Sequence, residues 1–224
     1  MGSGSTASGN TSFASGNNNT ASGIYSIAIG TGTNSSARAT TAIGNNTTAS
    51  SQYAVAIGTG TNASGDAAIA MGNNTTASSN YAVALGTGTT ANGNSAFAIG
   101  NSTTASGNNS TALGNNTTAS DFGSLVIGQF NSSGSSATSA GSYNSENTAF
   151  VIGNGTGSGN LSDAFKVMFN GDTYISSSLY LGGTAITSSA AELNLLDGSS
   201  AGTIVNSKGV IYGASGEVNA TTLQ

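Results

Sequence analysis

Apolar residues recur along residues 3–128 with a spacing that no helix follows. Gly stands at 16, 30, 44, 58, 72, 86, 100, 114 and 128, a constant step of 14 that defines nine blocks. Three successive blocks read NNTTASSQYAVAIG, TGTNASGDAAIAMG and NNTTASSNYAVALG over residues 45–86. With each block numbered 1 to 14 and Gly last, position 13 is Ile29, Ile43, Ile57, Met71, Leu85, Ile99, Leu113 and Ile127, with Ser15 in the first block. Position 11 is Phe13, Ile27, Thr41, Val55, Ile69, Val83, Phe97, Thr111 and Leu125. Position 12 is Ala in eight blocks and Val126 in the ninth; position 5 is Ala in eight and Ser35 in one. A helical face returns every three to four residues, whereas the apolar signal here has period two over positions 11–13. Gly, Asn and Ser, which favour turns, fill most other positions. Each block therefore predicts one coil of a parallel β-solenoid: a strand at positions 10–13, a turn at Gly, and a second short strand near positions 3–6. A 28-residue alternation of Asn-Asn and Thr-Gly block starts overlies it.

Alternation also orients the side chains, with positions 11 and 13 on one face of the strand and position 12 on the other. A 14-residue coil is narrow, so small groups must fill it: Ala28, Ala42, Ala56, Ala70, Ala84, Ala98 and Ala112 from position 12, and Ala21, Ala49, Ala63 and Ala77 from position 5. Gly30, Gly44, Gly58, Gly72, Gly86, Gly100, Gly114 and Gly128 are read as the coil turn. The large residues then point outward. Ile27, Ile29, Ile43, Val55, Ile57, Ile69, Met71, Val83, Leu85, Phe97, Ile99, Leu113, Leu125 and Ile127 form a stripe too large for a monomer to leave in water. Burying each Val or Ile contributes roughly 1.5–3 kcal/mol, so the stripe predicts an obligate interface. A cyclic homotrimer is the simplest closed arrangement in which rods bury one edge on a common axis. The other reading packs positions 11 and 13 inside a wider, monomeric solenoid. Nine coils at ~4.8 Å predict roughly 40–45 Å of roll. The roll begins almost at Met1 with its weakest block, so its first edge is expected to be a joint or a tip.

Beyond residue 128 the repeat stops. Residues 129–147 are rich in Ser, Asn and Gly and read as a linker or loose extra turn. AFVIGNG (149–155) and DAFKVMFNGDTYIS (163–176) read as strands, with Asn170-Gly171-Asp172 as a hairpin turn. SSAAELNLLDG (188–198) is a short helix with a Ser cap, Glu192 near its start and Gly198 as its stop. Residues 203–224 read as short strands and turns. The expected organisation is a β-roll over 1–128, a linker over 129–147 and a β-rich module with one short helix over 148–224.

Composition narrows function by exclusion. Without His, Cys, Trp or Pro, thiol chemistry, His- or Cys-based metal sites and a His general base are ruled out. Charged residues make up 5% of the chain, and Arg38, Lys166 and Lys208 cannot form a basic patch, so no nucleic-acid partner is expected. No apolar run is long enough for a membrane span, and Met1–Ser5 has neither the cationic region nor the apolar core of a secretory signal.

The block N-N-T-T-A-S-x-x-x-A-V-A-I-G resembles the 14-residue head repeat of trimeric autotransporter adhesins. The resemblance covers residues 3–128 and implies a left-handed parallel β-roll, three copies of which associate through the apolar residues before the Gly. Residues 149–176 resemble a segment frequent in phage tail-fibre proteins, and 184–198 with 201–218 resemble the ELN-LDG modules of phage structural proteins. No virion-anchoring domain and no self-cleaving chaperone is recognisable, so the chain is expected to be one section of a longer fibre.

Candidate chemistry is sparse. The acids are scattered singly. Asp163 and Asp172 could face each other across a hairpin as a glycosidase pair, but turn and cap roles explain them better. Gly155–Gly159 lacks the Lys of a phosphate loop. Tyr25, Tyr53 and Tyr81, all at position 9, are read as covers of the strand edge rather than sugar-stacking platforms. The sequence thus predicts a non-enzymatic homotrimeric fibre without catalytic residues, cofactor or metal. The first reading is a phage tail or head fibre in the virion, with other virion proteins and a host-surface glycan as further partners and no membrane insertion. The alternatives are a bacterial surface adhesin head and an ice-binding solenoid built on its Thr-x-Thr ranks.

Overall fold

The computed structural model describes residues 2–134, 137–195 and 197. Its chain divides into two compact units, Met1–Ser176 and Ser177–Gln224.

The first unit is a β-solenoid. Each block contributes a five-residue strand, from Phe13–Asn17 to Leu125–Gln129, and a two-residue strand, from Thr6–Ala7 to Thr118–Ala119. All neighbouring strands of the roll run parallel and in register at the repeat step, so Ile69 lies beside Val83 and Ala70 beside Ala84. The short strands form a nine-stranded sheet and the long strands belong to a twelve-stranded one. Backbone groups of one coil are thereby satisfied by the next, which lets a chain with so little apolar volume fold.

The interior is narrow and made of small side chains. Ala21, Ala28, Ala42, Ala49, Ala56, Ala63, Ala70, Ala77, Ala84, Ala98 and Ala112 are all fully buried. Two further ranks lie inside. Position 10 contributes Ala54, Ala68, Ala82 and Ala96, on the same strand face as position 12. Position 3 contributes Thr33, Thr47, Thr61, Thr75, Thr89, Thr103 and Thr117. The hydroxyls of Thr47, Thr61, Thr75, Thr89, Thr103 and Thr117 have no hydrogen-bond partner in the protein. Asn closes this file at both ends. The Asn19 amide donates to the Ser15 and Gly30 carbonyls and accepts from Thr33 N–H at 3.0 Å. Asn131 accepts from Thr118 N–H at 2.7 Å and donates to the Thr118 carbonyl at 3.0 Å.

The repeat Gly is not the turn. Gly30, Gly44, Gly58, Gly72, Gly86, Gly100, Gly114 and Gly128 lie inside the long strands, which run through them to position 1 of the next block. Their φ of 96–135° is open to Gly alone, and a Cβ on Gly58 would collide with the carbonyl oxygen of Gly72. The strand therefore spans positions 11–14 and 1, starting one residue later and ending two residues later than the alternation suggests. The chain turns instead at positions 2 and 9, both left-handed: Asn46 (51°) or Gly60 (63°), and Tyr53 (61°) or Ala67 (52°).

The long sheet does not stop with the repeat. Thr148–Asn154 pairs in parallel with Leu125–Gln129, placing Val151 beside Val126 and Gly153 beside Gly128. Asp163–Met168 then adds antiparallel to it, and Thr173–Ile175 antiparallel to that. The described residues between these strands, 130–134 and 137–147, thus belong to an enlarged coil joining two neighbouring strands of one sheet. Their loop also completes the short-strand side: Ser120 N–H donates to the Gly134 carbonyl and Phe122 N–H to the Ser139 carbonyl. The Asn170-Gly171-Asp172 turn forms as the sequence suggests, with Asp172 N–H donating to Asn170 Oδ1 at 2.9 Å.

In the second unit, Tyr180–Leu181 and Thr184–Ala185 form a small hairpin. Ala190–Asn194 is a helix with a capping box: Ser189 Oγ accepts from Glu192 N–H, and the Glu192 side chain accepts from Ser189 N–H. The predicted stop at Gly198 and the strands expected over 203–224 lie outside the described residues.

Candidate functional site

The main surface feature is the outward face of the long sheet. Positions 11 and 13 point away from the alanine interior, as period two requires. Ile27, Met71, Phe97 and Leu125 are exposed, at 37–39% of their full area, and Phe13 at 55%. Ile29, Ile43, Val55, Ile57, Ile69, Val83, Leu85, Ile99, Leu113 and Ile127 are half-buried, because each side chain covers its neighbour one coil away. Ser15, Thr41 and Thr111 are the polar interruptions.

The stripe continues past the repeat. Phe150 lies beside Leu125 and Ile152 beside Ile127. Across the antiparallel pair, Val167 lies beside Phe150 and Phe165 beside Ile152. The Phe150 and Phe165 rings meet edge to face with centroids 6.1 Å apart. Sequence reasoning ended the stripe at Ile127. The repeated apolar-Val-Ile-Gly of 150–153 was the sign that it goes on.

Other candidate groups are placed as follows. Tyr25, Tyr53 and Tyr81 project from left-handed corners and are 53–63% exposed. Thr33, Thr61 and Thr89, the second Thr of each Thr-Gly-Thr, are buried in the coil, so these triplets do not form the paired outward ranks of an ice-binding face. Asp163 and Asp172 sit at opposite ends of the 163–175 hairpin and form no carboxylate pair. Asp163 instead holds a turn, accepting from Ser132 N–H, Ser132 Oγ and Ser133 N–H, each at 2.8 Å.

Asp121, one of the singly scattered acids, is 2% exposed. Its carboxylate accepts from Thr138 N–H at 2.9 Å and Thr148 N–H at 2.8 Å, tying the middle of the enlarged coil and the start of the strand that follows it to the roll.

No curated protein sequence matches the chain. The two-copy YadA head domain repeat matches residues 1–19, 7–33, 35–61, 63–89 and 91–117, together just over half of the chain. Those matches fall on the coils whose Gly ladder, alanine interior and outward stripe are described above, and on that basis the chain belongs to the YadA head domain repeat family.

Proposed function

We propose that the roll is the head of a homotrimeric, surface-exposed adhesin, non-enzymatic in action. The observation that carries this reading is the apolar stripe running along the family's repeat. Placed on a threefold axis, positions 11 and 13 of three chains would cover one another, and Phe150, Ile152, Phe165 and Val167 would lengthen the same seam. The Asn, Thr and Ser positions on the other faces would stay hydrated and uncharged, a surface suited to hydrogen-bonding a host ligand.

A phage fibre was the first reading of the sequence. The family match supports the adhesin head instead and reaches neither 149–176 nor 184–218, the segments that resemble phage proteins.

Light scattering on the purified chain tests assembly. A mass three times 21.4 kDa is expected, and a soluble monodisperse monomer overturns the reading. Ile57→Asp with Val83→Asp should abolish the trimer, because each charge would be buried without a partner at a penalty of several kcal/mol. Adhesion is tested by displaying the chain on a non-adherent bacterium. Attachment to host cells or matrix that the double variant loses supports the reading, and no gain in attachment counts against it.

A further inference from the structure

Beside the enlarged coil, the 163–175 hairpin and the Ser132–Ser133 turn border an open cavity of about 430 Å³. That volume lies within the ~300–1,000 Å³ usual for small-molecule sites. Its wall is mixed: Ser132, Ser133, Ser162 and Ser176 bring hydroxyls, Leu161 and Ile175 bring apolar surface, and Asp163, Lys166 and Tyr174 complete it. Lys166 Nζ lies 4.4 Å from the centre of the Tyr174 ring, a cation–π contact. Among the described residues this ammonium forms no ion pair. The nearby acid, Asp163, is committed to the Ser132–Ser133 turn through three hydrogen bonds.

We propose that this cavity binds a single pyranose ring bearing a carboxylate, a uronic or sialic acid residue of a glycan. A sugar ring has an apolar C–H face and a hydroxyl rim, and the wall offers both Tyr174 with the aliphatic side chains and a set of serine hydroxyls. The carboxylate answers the ammonium. Covering Lys166 with a neutral ligand would desolvate a charge without a partner, whereas an anionic oxygen forms a charge-assisted hydrogen bond. The site is also compatible with assembly. Lys166 pairs with Val151 and Tyr174 pairs with Lys166, so both lie on the sheet face opposite Phe150, Ile152, Phe165 and Val167. A trimer seam on the stripe leaves Lys166 and Tyr174 uncovered, while Ile175, which pairs with Phe165, would lie on the seam's side of the sheet.

This inference deepens the adhesive reading and rests on it for the origin of the ligand, but it is tested without cells. The purified full chain is titrated by NMR with methyl glucuronide, methyl N-acetylneuraminide and, as the neutral control, methyl glucoside. Saturable shifts with at least one acidic sugar are expected, and the glucoside should bind about tenfold more weakly or not at all, the usual worth of one charge-assisted hydrogen bond. Lys166→Met, which keeps the aliphatic stem on Tyr174, should abolish the preference for the acid, and Lys166→Arg should retain it. Absence of saturable binding by both acids, equal binding of the glucoside, or indifference to Lys166→Met with the fold intact overturns the proposal. Cell attachment that persists in Lys166→Met while acid-sugar binding is lost would leave the adhesin reading standing on another surface, so the two fail separately.

Discussion

At the scale of single residues, the invariant Gly of position 14 and the Gly that alternates with Asn at position 2 hold the roll in different ways. Gly58 has φ +132°, and a Cβ there would run into the backbone of the next coil at the Gly72 carbonyl. Gly60 has φ +63°, and a Cβ there would meet the end of the Asn74 side chain, which can move. Other blocks place Asn at that corner, as at Asn46 and Asn74, so a side chain is tolerated. Gly60→Ala should therefore cost about 1–2 kcal/mol, the ordinary penalty of a left-handed L-residue. Gly58→Ala should cost more than the ~1–3 kcal/mol of backbone strain alone, since two coils must separate to admit the methyl. Denaturant unfolding of the two variants gives the comparison, and equal losses would contradict the ladder's role. The same logic explains the interior: Ala56, Ala70 and Ala84 fill a coil with no spare volume, so enlarging one of them strains the coil rather than improving its packing.

At the scale of elements, the enlarged coil is held by one buried carboxylate. Removing it in Asp121→Ala leaves the buried Thr148 N–H without an acceptor, a loss of about 1–3 kcal/mol, while the exposed Thr138 N–H can turn to water. Hydrogen exchange should show this loss as faster exchange at 131–154, with the coils before residue 100 unchanged. The helix of the second unit gives a pH test. Its cap holds the Glu192 carboxyl below the ordinary value of 4.5, through hydrogen bonds from the Ser189 backbone and then its hydroxyl. A lowered folded-state pKa means that the cap's contribution is fully present above pH 4.5 and is lost as pH falls through the lowered value. Helical signal from 190–194 should therefore fade in that acid window, and Glu192→Gln should make it independent of pH there. The strands, the alanine interior and the outward stripe were legible because period-two alternation and the 14-residue step act locally, and each block states them again. The position of Gly within the strand was not legible, because its cause is contact with the next coil. Asp121 and Asn131 were hidden because each acts on a loop that follows the repeat, although Asn131 stands at position 3 when the count is carried past residue 128. The Lys166 cavity was hidden because its wall comes from two segments some thirty residues apart, such as Ser132 and Asp163.

At the scale of the whole molecule, a solenoid is nearly one-dimensional, and each coil of the repeat touches only its neighbours. Length should then be adjustable in units of the coil and in no other unit. Deleting residues 59–86 joins Gly58 to Thr87, which stands where Thr59 stood, at position 1 of a Thr-Gly block. The Gly ladder, the alanine interior, the threonine file and the stripe would all close over the gap, and the alternation of Asn and Gly corners would be kept. Deleting residues 59–85 instead leaves Gly58 followed by Gly86, one residue out of step. Because the strand period is two, a one-residue slip would aim stripe residues at the narrow interior and alanines at the seam unless a bulge absorbs it. The first variant should assemble as the full chain does and unfold with a similar midpoint, since it loses two coils but keeps every coil-to-coil contact of the native kind. The second should lose assembly or unfold at markedly lower temperature. Light scattering and thermal unfolding of the pair decide the matter: equal behaviour would mean that the register of the ladder does not hold the roll together, and failure of the first variant would mean that coils 59–72 and 73–86 carry something more than their repeat.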